Sequence, residues 1–229
     1  MHKTHFKLGA ALALLLLFVG VEAQAQVITT GAGNTSITAL SFTTVGSTIT
    51  INTTFSGAGP GSLQFTQVPT GTTFTVVLNV TNASGTNFSR VAFELLDPSG
   101  NANDALDPTP QPAFVPGGFS TSNDNDGLSF AQNFGIPRTS TAFGSVVSDE
   151  NSDARDFLDF FNGNGANGAT FSFTFGLLDQ TSNQPFLLFI RPNVDTRGTN
   201  PVLEPATMIL LDTGLAGVAA KLRRRRGDK

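Results

Sequence analysis

Several side-chain types that most enzymes use for catalysis are missing from the middle of this 229-residue sequence. Cysteine, tryptophan and tyrosine do not occur, the histidines lie at positions 2 and 5, and lysine occurs only at positions 3, 7, 221 and 229. Residues 26–200 therefore contain no thiol, imidazole or amine side chain. This excludes disulfide bonds, zinc sites built from thiolate or imidazole, haem ligation and Ser-His-Asp, Cys-His or Ser-Lys catalysis from that segment. Carboxylates are the general acids and bases that remain.

Charged side chains are absent from the 64 residues between Gln26 and Ser89, both included. Residues 90–200 then contain 13 Asp and Glu against five Arg, which gives residues 26–200 a net charge of −8, whereas the whole chain carries −4. Residues 26–200, called the body below, therefore carry an acidic charge that repels nucleic acid. We therefore predict no nucleic-acid partner and regard divalent cations as the better candidates.

The N-terminus has the three parts of a secretory signal peptide. A basic region precedes an apolar run from Leu8 to Val21, and the alanines Ala23 and Ala25 give the small-x-small pattern of a cleavage site. About 14 apolar residues are too few for a membrane-spanning helix. We predict a signal peptide over residues 1–25, cleavage before Gln26 and export of the chain.

The last 29 residues form a second targeting signal. Leu203, Glu204 and Pro205 mark a turn, residues 206–222 are predominantly apolar, and four consecutive arginines follow. Seventeen residues reach the lower limit for a membrane-spanning helix, and basic residues at one end keep that end in the cytoplasm. We predict a transmembrane helix over residues 206–222, oriented by the basic cluster Arg223, Arg224, Arg225 and Arg226.

This order of elements, over residues 201–229, resembles the PEP-CTERM protein-sorting tail of Gram-negative bacteria, a region also labelled the ice-binding protein C-terminal domain. The chain departs from the family pattern at Leu203, where the family has proline, and at Asp212, where it has a small residue. The resemblance implies a chain held in the inner membrane, cleaved by an exosortase-type membrane protease and passed to the cell surface or extracellular matrix. An Asp within a span costs about 2.5–3.5 kcal/mol, so this anchor suits temporary tethering.

Between the two ends, residues 26–200 show the alternation of apolar and polar residues that is typical of β-strands. In residues 72–81 the alternation places Phe74, Val76, Leu78 and Val80 on one face. The other predicted strands are residues 36–43, 47–55, 62–68, 89–95, 128–132, 142–147, 169–176 and 185–191. Glycine- and asparagine-rich turns separate them, so we predict an all-β domain over residues 26–200, a β sandwich or jelly roll of about ten short strands.

Two details of this domain stay open. Residues 153–160 fit either a turn of helix or a strand. The alternating phenylalanines of residues 171–175 fit either a core stripe or an exposed binding face, and we favour the core because an apolar strand face is normally buried. Residues 156–180 also resemble, loosely, the sandwich domains that precede PEP-CTERM tails.

Two acidic turns are candidate calcium sites. Asp124 and Asp126 precede a glycine, and Asp104 and Asp107 form a similar cluster. Carboxylate oxygens are the ligands that calcium prefers. An EF-hand would need a glutamate at its twelfth position, where this chain has Gly135, so a solvated polar turn is the favoured interpretation and no other cofactor is predicted.

A third acidic set offers carboxylate pairs of the kind that glycosidases use. We favour a charged, solvent-exposed face for it, because saccharide-cleaving sites usually also present Trp or Tyr. Its members are Asp149, Glu150, Asp153, Asp156 and Asp159.

Two classes of function fit the sequence. The favoured one is a noncatalytic surface or matrix protein, sorted by exosortase, with an adhesive or polysaccharide-associated role. The alternative is a secreted, carboxylate-dependent hydrolase of glycosidase type, supported by calcium. An acidic pair lining a deep cleft would favour the hydrolase, whereas flat, polar or glycan-bearing faces would favour the matrix protein.

Overall fold

The computed structural model describes residues 26–100, 111–123, 125–149, 155–180 and 184–194. These residues form thirteen strands and one turn of 3-10 helix, Gln132–Phe134. The strands, numbered in chain order, are β1 Val27–Thr30, β2 Ile37–Val45, β3 Thr48–Phe55, β4 Gly61–Thr66, β5 Thr73–Asn82, β6 Val91–Pro98, β7 Phe119–Thr121, β8 Leu128–Ser129, β9 Thr139–Ser140, β10 Phe143–Asp149, β11 Phe157–Gly163, β12 Thr170–Asp179 and β13 Phe186–Pro192.

The predicted signal peptide and sorting tail lie outside the described residues. So do three of the four predicted calcium ligands, Asp104, Asp107 and Asp124. Within the described ranges, no helix has the length and apolar character needed to cross a membrane.

The strands form two sheets. Sheet I has the order β1-β4-β13-β6-β11-β10, with β7 paired to β6, and sheet II has the order β2-β3-β5-β12-β8, with β9 paired to β12. An all-β, sandwich-like fold is therefore confirmed, while the jelly-roll alternative stays a prediction.

One strand pair differs in direction from the other pairs of the described residues. β3 and β5 run parallel, whereas the remaining pairs are antiparallel. The cause is the intervening strand, because β4 belongs to sheet I and the chain must return to sheet II before β5 begins. A parallel pair needs such a crossover connection.

The main core lies between the two sheets. Phe93 of β6 in sheet I packs against Phe173 and Phe175 of β12 in sheet II, with ring centroids 4.8 Å and 5.3 Å apart. Phe171 is buried beside them, so the prediction that residues 171–175 form a core stripe is confirmed. The alternation predicted for β5 is also confirmed, because Phe74, Val76, Leu78 and Val80 are buried and the residues between them are half-buried.

A second apolar cluster lies on the outer face of sheet I. Leu96, Leu187 and Phe189 are buried there beneath the segment that contains Phe114 and Phe119. As a result, all seven residues of β13 are buried. The unbroken apolar run of β13, residues 186–190, is the pattern of a strand that is covered on both faces.

Each predicted strand overlaps an observed one, although β8 is much shorter than predicted. The ambiguous residues 153–160 contribute to a strand, β11. Three strands were not predicted: β1, β7 and β9. They have four, three and two residues, too few for an alternating pattern to be recognised.

Candidate functional site

The outer face of sheet II is a broad array of uncharged hydroxyl and amide side chains. Strand register aligns Ser41, Asn52, Asn79 and Ser172 in one row across β2, β3, β5 and β12. The Asn79 side-chain amide donates to Asn52 Oδ1 at 2.9 Å, and Asn52 Nδ2 lies 3.5 Å from Ser41 Oγ. This polar face arises because outward positions in the charge-free segment carry Thr, Ser and Asn.

The polar face offers many hydrogen-bond donors and acceptors without net charge. A second row in register contains Thr43, Thr50 and Thr174, interrupted by Val77 on β5. The hydroxyls of Thr81 and Thr170 lie 2.8 Å apart. Such a surface complements neutral, hydroxyl-rich ligands, because each hydroxyl can both donate and accept a hydrogen bond.

Sheet I presents a different chemistry, a buried ion cluster on its outer face. Glu94 of β6 is fully buried, and its two oxygens accept hydrogen bonds from Arg155 Nε at 2.5 Å and Nη2 at 2.6 Å. Arg191 of β13 donates to the same carboxylate through Nη2 at 2.8 Å. Strand register explains the meeting, since Glu94 pairs with residue 189 and Arg191 lies diagonally across from it.

Phe114 covers this ion cluster. The guanidinium carbon of Arg191 lies 3.6 Å from the centre of the Phe114 ring, and that of Arg155 lies 5.5 Å from it. Burial lowers the pKa of the Arg191 guanidinium below its ordinary value, while Glu94 opposes that shift. The stacked ring and the shared carboxylate together accommodate a cation that is almost withdrawn from water.

A second buried carboxylate, that of Asp159, lies on the same face of sheet I, opposite Ala92 and two residues along β6 from Glu94. Asp159 of β11 and Arg191 of β13 flank Ala92 in register, and Ala92 leaves room between them. Asp159 is fully buried and lies 3.6 Å from the Arg90 guanidinium. The expectation of an exposed acidic face is therefore wrong for Asp159, and also for Asp156, which is equally buried.

The predicted calcium turn around Asp126 is organised by hydrogen bonds. Asp126 accepts from the main-chain N–H of Leu128 at 2.8 Å and from that of Asn123 at 3.0 Å. Asn123 Oδ1 in turn accepts from the N–H of Asn125 at 2.9 Å. Asp126 is therefore buried in a polar turn, while the other three predicted ligands lie outside the described residues, so calcium binding stays a prediction.

Ser122 connects two of the acidic sets that the sequence kept apart. Its hydroxyl lies 2.7 Å from Asp156 Oδ2 and 3.4 Å from Asp126 Oδ1. The shorter contact receives the single hydroxyl proton. In the described part of the chain, no group of three or more Asp, Glu, His or Cys side chains has an arrangement that could hold a metal ion.

Two pockets are lined by described residues. The larger, about 680 Å³, is an open groove between residues 113–116 and β13, with Phe114, Phe189 and Arg191 in its wall. The smaller, about 260 Å³, lies beside β9 and β10. Neither of these two linings includes a carboxylate, so neither provides the acidic pair that a hydrolase requires.

Sequence reasoning missed the ion cluster because Glu94 occupies an outward position of a strand, where exposure is the usual expectation. The apolar run of β13 was the available signal. It indicates a strand covered on both faces, and therefore that outward side chains of its neighbour β6 are also buried. That cover comes from residues 111–119, which carry no strong periodicity.

No family model matches the chain, and no curated protein or solved structure matches it significantly.

Proposed function

We propose that this chain is an exported, noncatalytic protein of the cell surface or extracellular matrix with an adhesive, polysaccharide-associated role. An exosortase-type membrane protease sorts and cleaves it at its C-terminal tail. The observation that carries the proposal is the order of elements in the tail: Leu203-Glu204-Pro205, the apolar residues 206–222, and the arginines 223–226. The signal peptide proposed for residues 1–25 agrees with it.

Two features of the described residues support the noncatalytic part of the proposal. Glu94 is engaged by two arginines, and Asp126 by main-chain N–H groups. Asp156 and Asp159 are fully buried. Carboxylates that are buried in this way are less accessible to a substrate than exposed ones, which weighs against the hydrolase alternative.

The outer face of sheet II supports the adhesive part. It is polar, uncharged and spans four strands in register. Polysaccharides present hydroxyl groups along their length, so such a face can form many hydrogen bonds with them at once. The net charge of residues 26–200 does not oppose a neutral polymer.

Processing of the tail gives the decisive experiment. We expect the double variant Glu204→Ala, Pro205→Ala to stay in the inner membrane with its tail intact, because the protease would lose its recognition turn. Cell fractionation and the intact mass of the chain, in the organism that produces it, measure both effects. The matched variant Leu203→Pro restores the family motif and should be cleaved at least as efficiently as the natural chain.

Normal tail removal in the Glu204→Ala, Pro205→Ala variant would refute the sorting proposal. Deletion of residues 206–226 provides the control for membrane retention. That truncated chain should leave the membrane fraction without any cleavage step.

A further inference from the structure

Strand β2 is an edge of sheet II that lacks most of the usual protection against pairing, since its irregularity is a register shift near its start, between Ile37 and Ala39. Its nine residues, ITALSFTTV, contain no charge, no proline and no glycine. In the described residues its strand partner is β3 alone. An edge strand of this kind leaves a row of main-chain N–H and C=O groups ready to pair with another strand.

The other edges of the two sheets are less suited to pairing. β1 has four residues, and β8 and β9 have two each. β10 is longer, but it contains Gly144 and ends at the acidic Asp149. Short strands, glycine and charge all disfavour edge pairing. β2 therefore differs from the other edges in both length and composition.

The turn that follows β2 determines which of its main-chain groups point outwards. Val45 pairs with Thr48 across the two-residue loop Gly46-Ser47, and Gly46 has a φ of 59° as a type II′ turn requires. In such a hairpin the residues flanking the loop bond to each other. By alternation, Leu40, Phe42 and Thr44 direct their N–H and C=O groups towards the open edge.

The open edge has a defined start. The side-chain amide of Asn34 forms two hydrogen bonds with the main chain of Ile37. Its Oδ1 accepts from the Ile37 N–H and its Nδ2 donates to the Ile37 C=O, each at 3.0 Å. The register then shifts between Ile37 and Ala39. The pairing-competent edge is therefore Leu40–Thr44, whose middle residue is Phe42.

The side chains of this edge are compatible with those of the same edge in a second copy of the chain. Leu40 and Phe42 face sheet I and are only partly buried against the core. In an antiparallel pair centred on Phe42, each Phe42 would face its counterpart and each Leu40 would face Thr44 of the other copy. On the outer face Ser41 would lie opposite Thr43. The half-exposed apolar side chains would be covered, and no charge would be buried.

We propose that β2 pairs antiparallel with β2 of a second copy of this chain, centred on Phe42, so that the two polar faces of sheet II become continuous. Charge favours this contact over others, because each body has a net charge of −8 and residues 26–89 contribute none of it. A five-residue edge is small beside the roughly 800 Å² per partner of a standard interface, so the dimer is weak and concentration-dependent. This pairing does not depend on the proposed function.

Cysteine cross-linking tests the pairing directly, because the natural chain has no cysteine. In the full-length double variant Ser41→Cys, Thr43→Cys, the two positions face each other between copies as a non-hydrogen-bonded pair about 4.5 Å apart at Cα, which suits a disulfide. The matched control is Thr50→Cys, Asn52→Cys, at the register partners on β3. Those positions would lie about 14 Å or more from their counterparts in the dimer, three strand spacings away.

Under mild oxidation we expect roughly tenfold more covalent dimer in the β2 variant than in the β3 variant, since only the former satisfies disulfide geometry. Peptide mapping should join position 41 of one copy to position 43 of the other. A β2 variant that stays monomeric while its thiols react with a small reagent would overturn the proposal. Equal dimer in both variants, or β2 thiols linked to a different protein, would overturn it as well.

A charge exchange provides an independent check at exposed positions that do not support the core. The variants Ser41→Lys, Thr43→Lys and Ser41→Glu, Thr43→Glu should each sediment as monomers, because like charges would face each other. An equimolar mixture of the two should restore the dimer. Dimers in either variant alone, or none in the mixture, would contradict the β2 pairing.

Discussion

At the scale of single residues, Glu94 illustrates how an ion becomes tolerable away from water. Its carboxylate accepts from Arg155 through two nitrogens and from Arg191 through a third. Two cations share one anion, and the Phe114 ring lies against both guanidinium groups. The pairing reduces the desolvation cost without making the cluster a large source of stability.

Removing only the anion should therefore be costly. We expect Glu94→Gln to lower the free energy of unfolding by about 3–5 kcal/mol, because the buried Arg191 would lose its compensating charge. Urea unfolding followed by circular dichroism measures this, since the chain lacks the Trp and Tyr that fluorescence requires.

The matched control replaces both partners. The double variant Glu94→Leu, Arg191→Met leaves no buried unpaired charge at this pair, and Arg155 is exposed enough to turn towards water. It should lose less stability than Glu94→Gln alone. If the double variant were the less stable of the two, the ion pair itself would be the main stabilising element.

The surroundings of the acidic residues show how far the sequence predicts the environment of a single side chain. The turn at Asp126 is organised by local hydrogen bonds, as Asx-type turns are, but its carboxylate is buried, so the expectation of a solvated turn is wrong for Asp126. The burial of Asp156 depends on Ser122, which is distant in the chain and whose hydroxyl lies 2.7 Å away. Such long-range partners are not visible in a local pattern.

At the scale of elements, the end of β11 is constrained by a close backbone approach. Asn162 has a φ of 59°, and a Cβ on Gly163 would lie 2.0 Å from the carbonyl oxygen of Ala142. The obstacle is main chain, which cannot rotate away as a side chain can. Glycine is therefore strongly favoured at position 163 for steric reasons.

Alanine at two glycine positions should separate this effect from a general loss of flexibility. We expect Gly163→Ala to lower the free energy of unfolding by about 1–3 kcal/mol, because β10 and β11 must move apart. Gly117→Ala, where a Cβ would meet no atom within 4 Å, should cost nothing and add up to about 1 kcal/mol. Thermal melting of both variants makes the comparison, and equal losses would contradict the steric explanation.

Elements with clear alternation were the ones that sequence predicted well. β5 and β12 have ten residues each. The alternating apolar positions 74–80 of β5 and 171–177 of β12 face the core, as the period-2 pattern requires. β7 and β9 are short and depend on a neighbour, β6 and β12 respectively, for their existence. Strands that form because a partner edge is available leave little trace in their own residues.

At the scale of the whole molecule, the charged residues and the open edge of β2 lie in different parts of the sequence. The acidic and basic side chains all follow residue 89 within the body, whereas the open edge of β2 lies in the uncharged segment. Two copies that approach each other are repelled by their net charge and attracted through a neutral strand. Salt should therefore act on the repulsion alone.

Association should strengthen as the ionic strength rises. Screening weakens the repulsion between two acidic bodies at distances beyond the Debye length, about 10 Å at 0.1 M salt, while strand hydrogen bonds and apolar contact are little affected. Sedimentation velocity of the natural chain at low and moderate NaCl measures the change. Dissociation on adding salt would indicate an interface held by ion pairs, contrary to the β2 pairing.

The parallel placement of β3 beside β5 was beyond what sequence could predict. The long stretch of chain between β5 and its other neighbour in sheet II has a consequence for newly made chains. The next neighbour of β5 in sheet II is β12, yet β5 ends at residue 82 and β12 begins at residue 170. A ribosome needs roughly 4–18 s to add the intervening residues. During that interval the nascent β2-β3-β5 unit exposes an unpaired strand on both sides, so the risk of mispairing between neighbouring chains is greatest before residue 179 has been made.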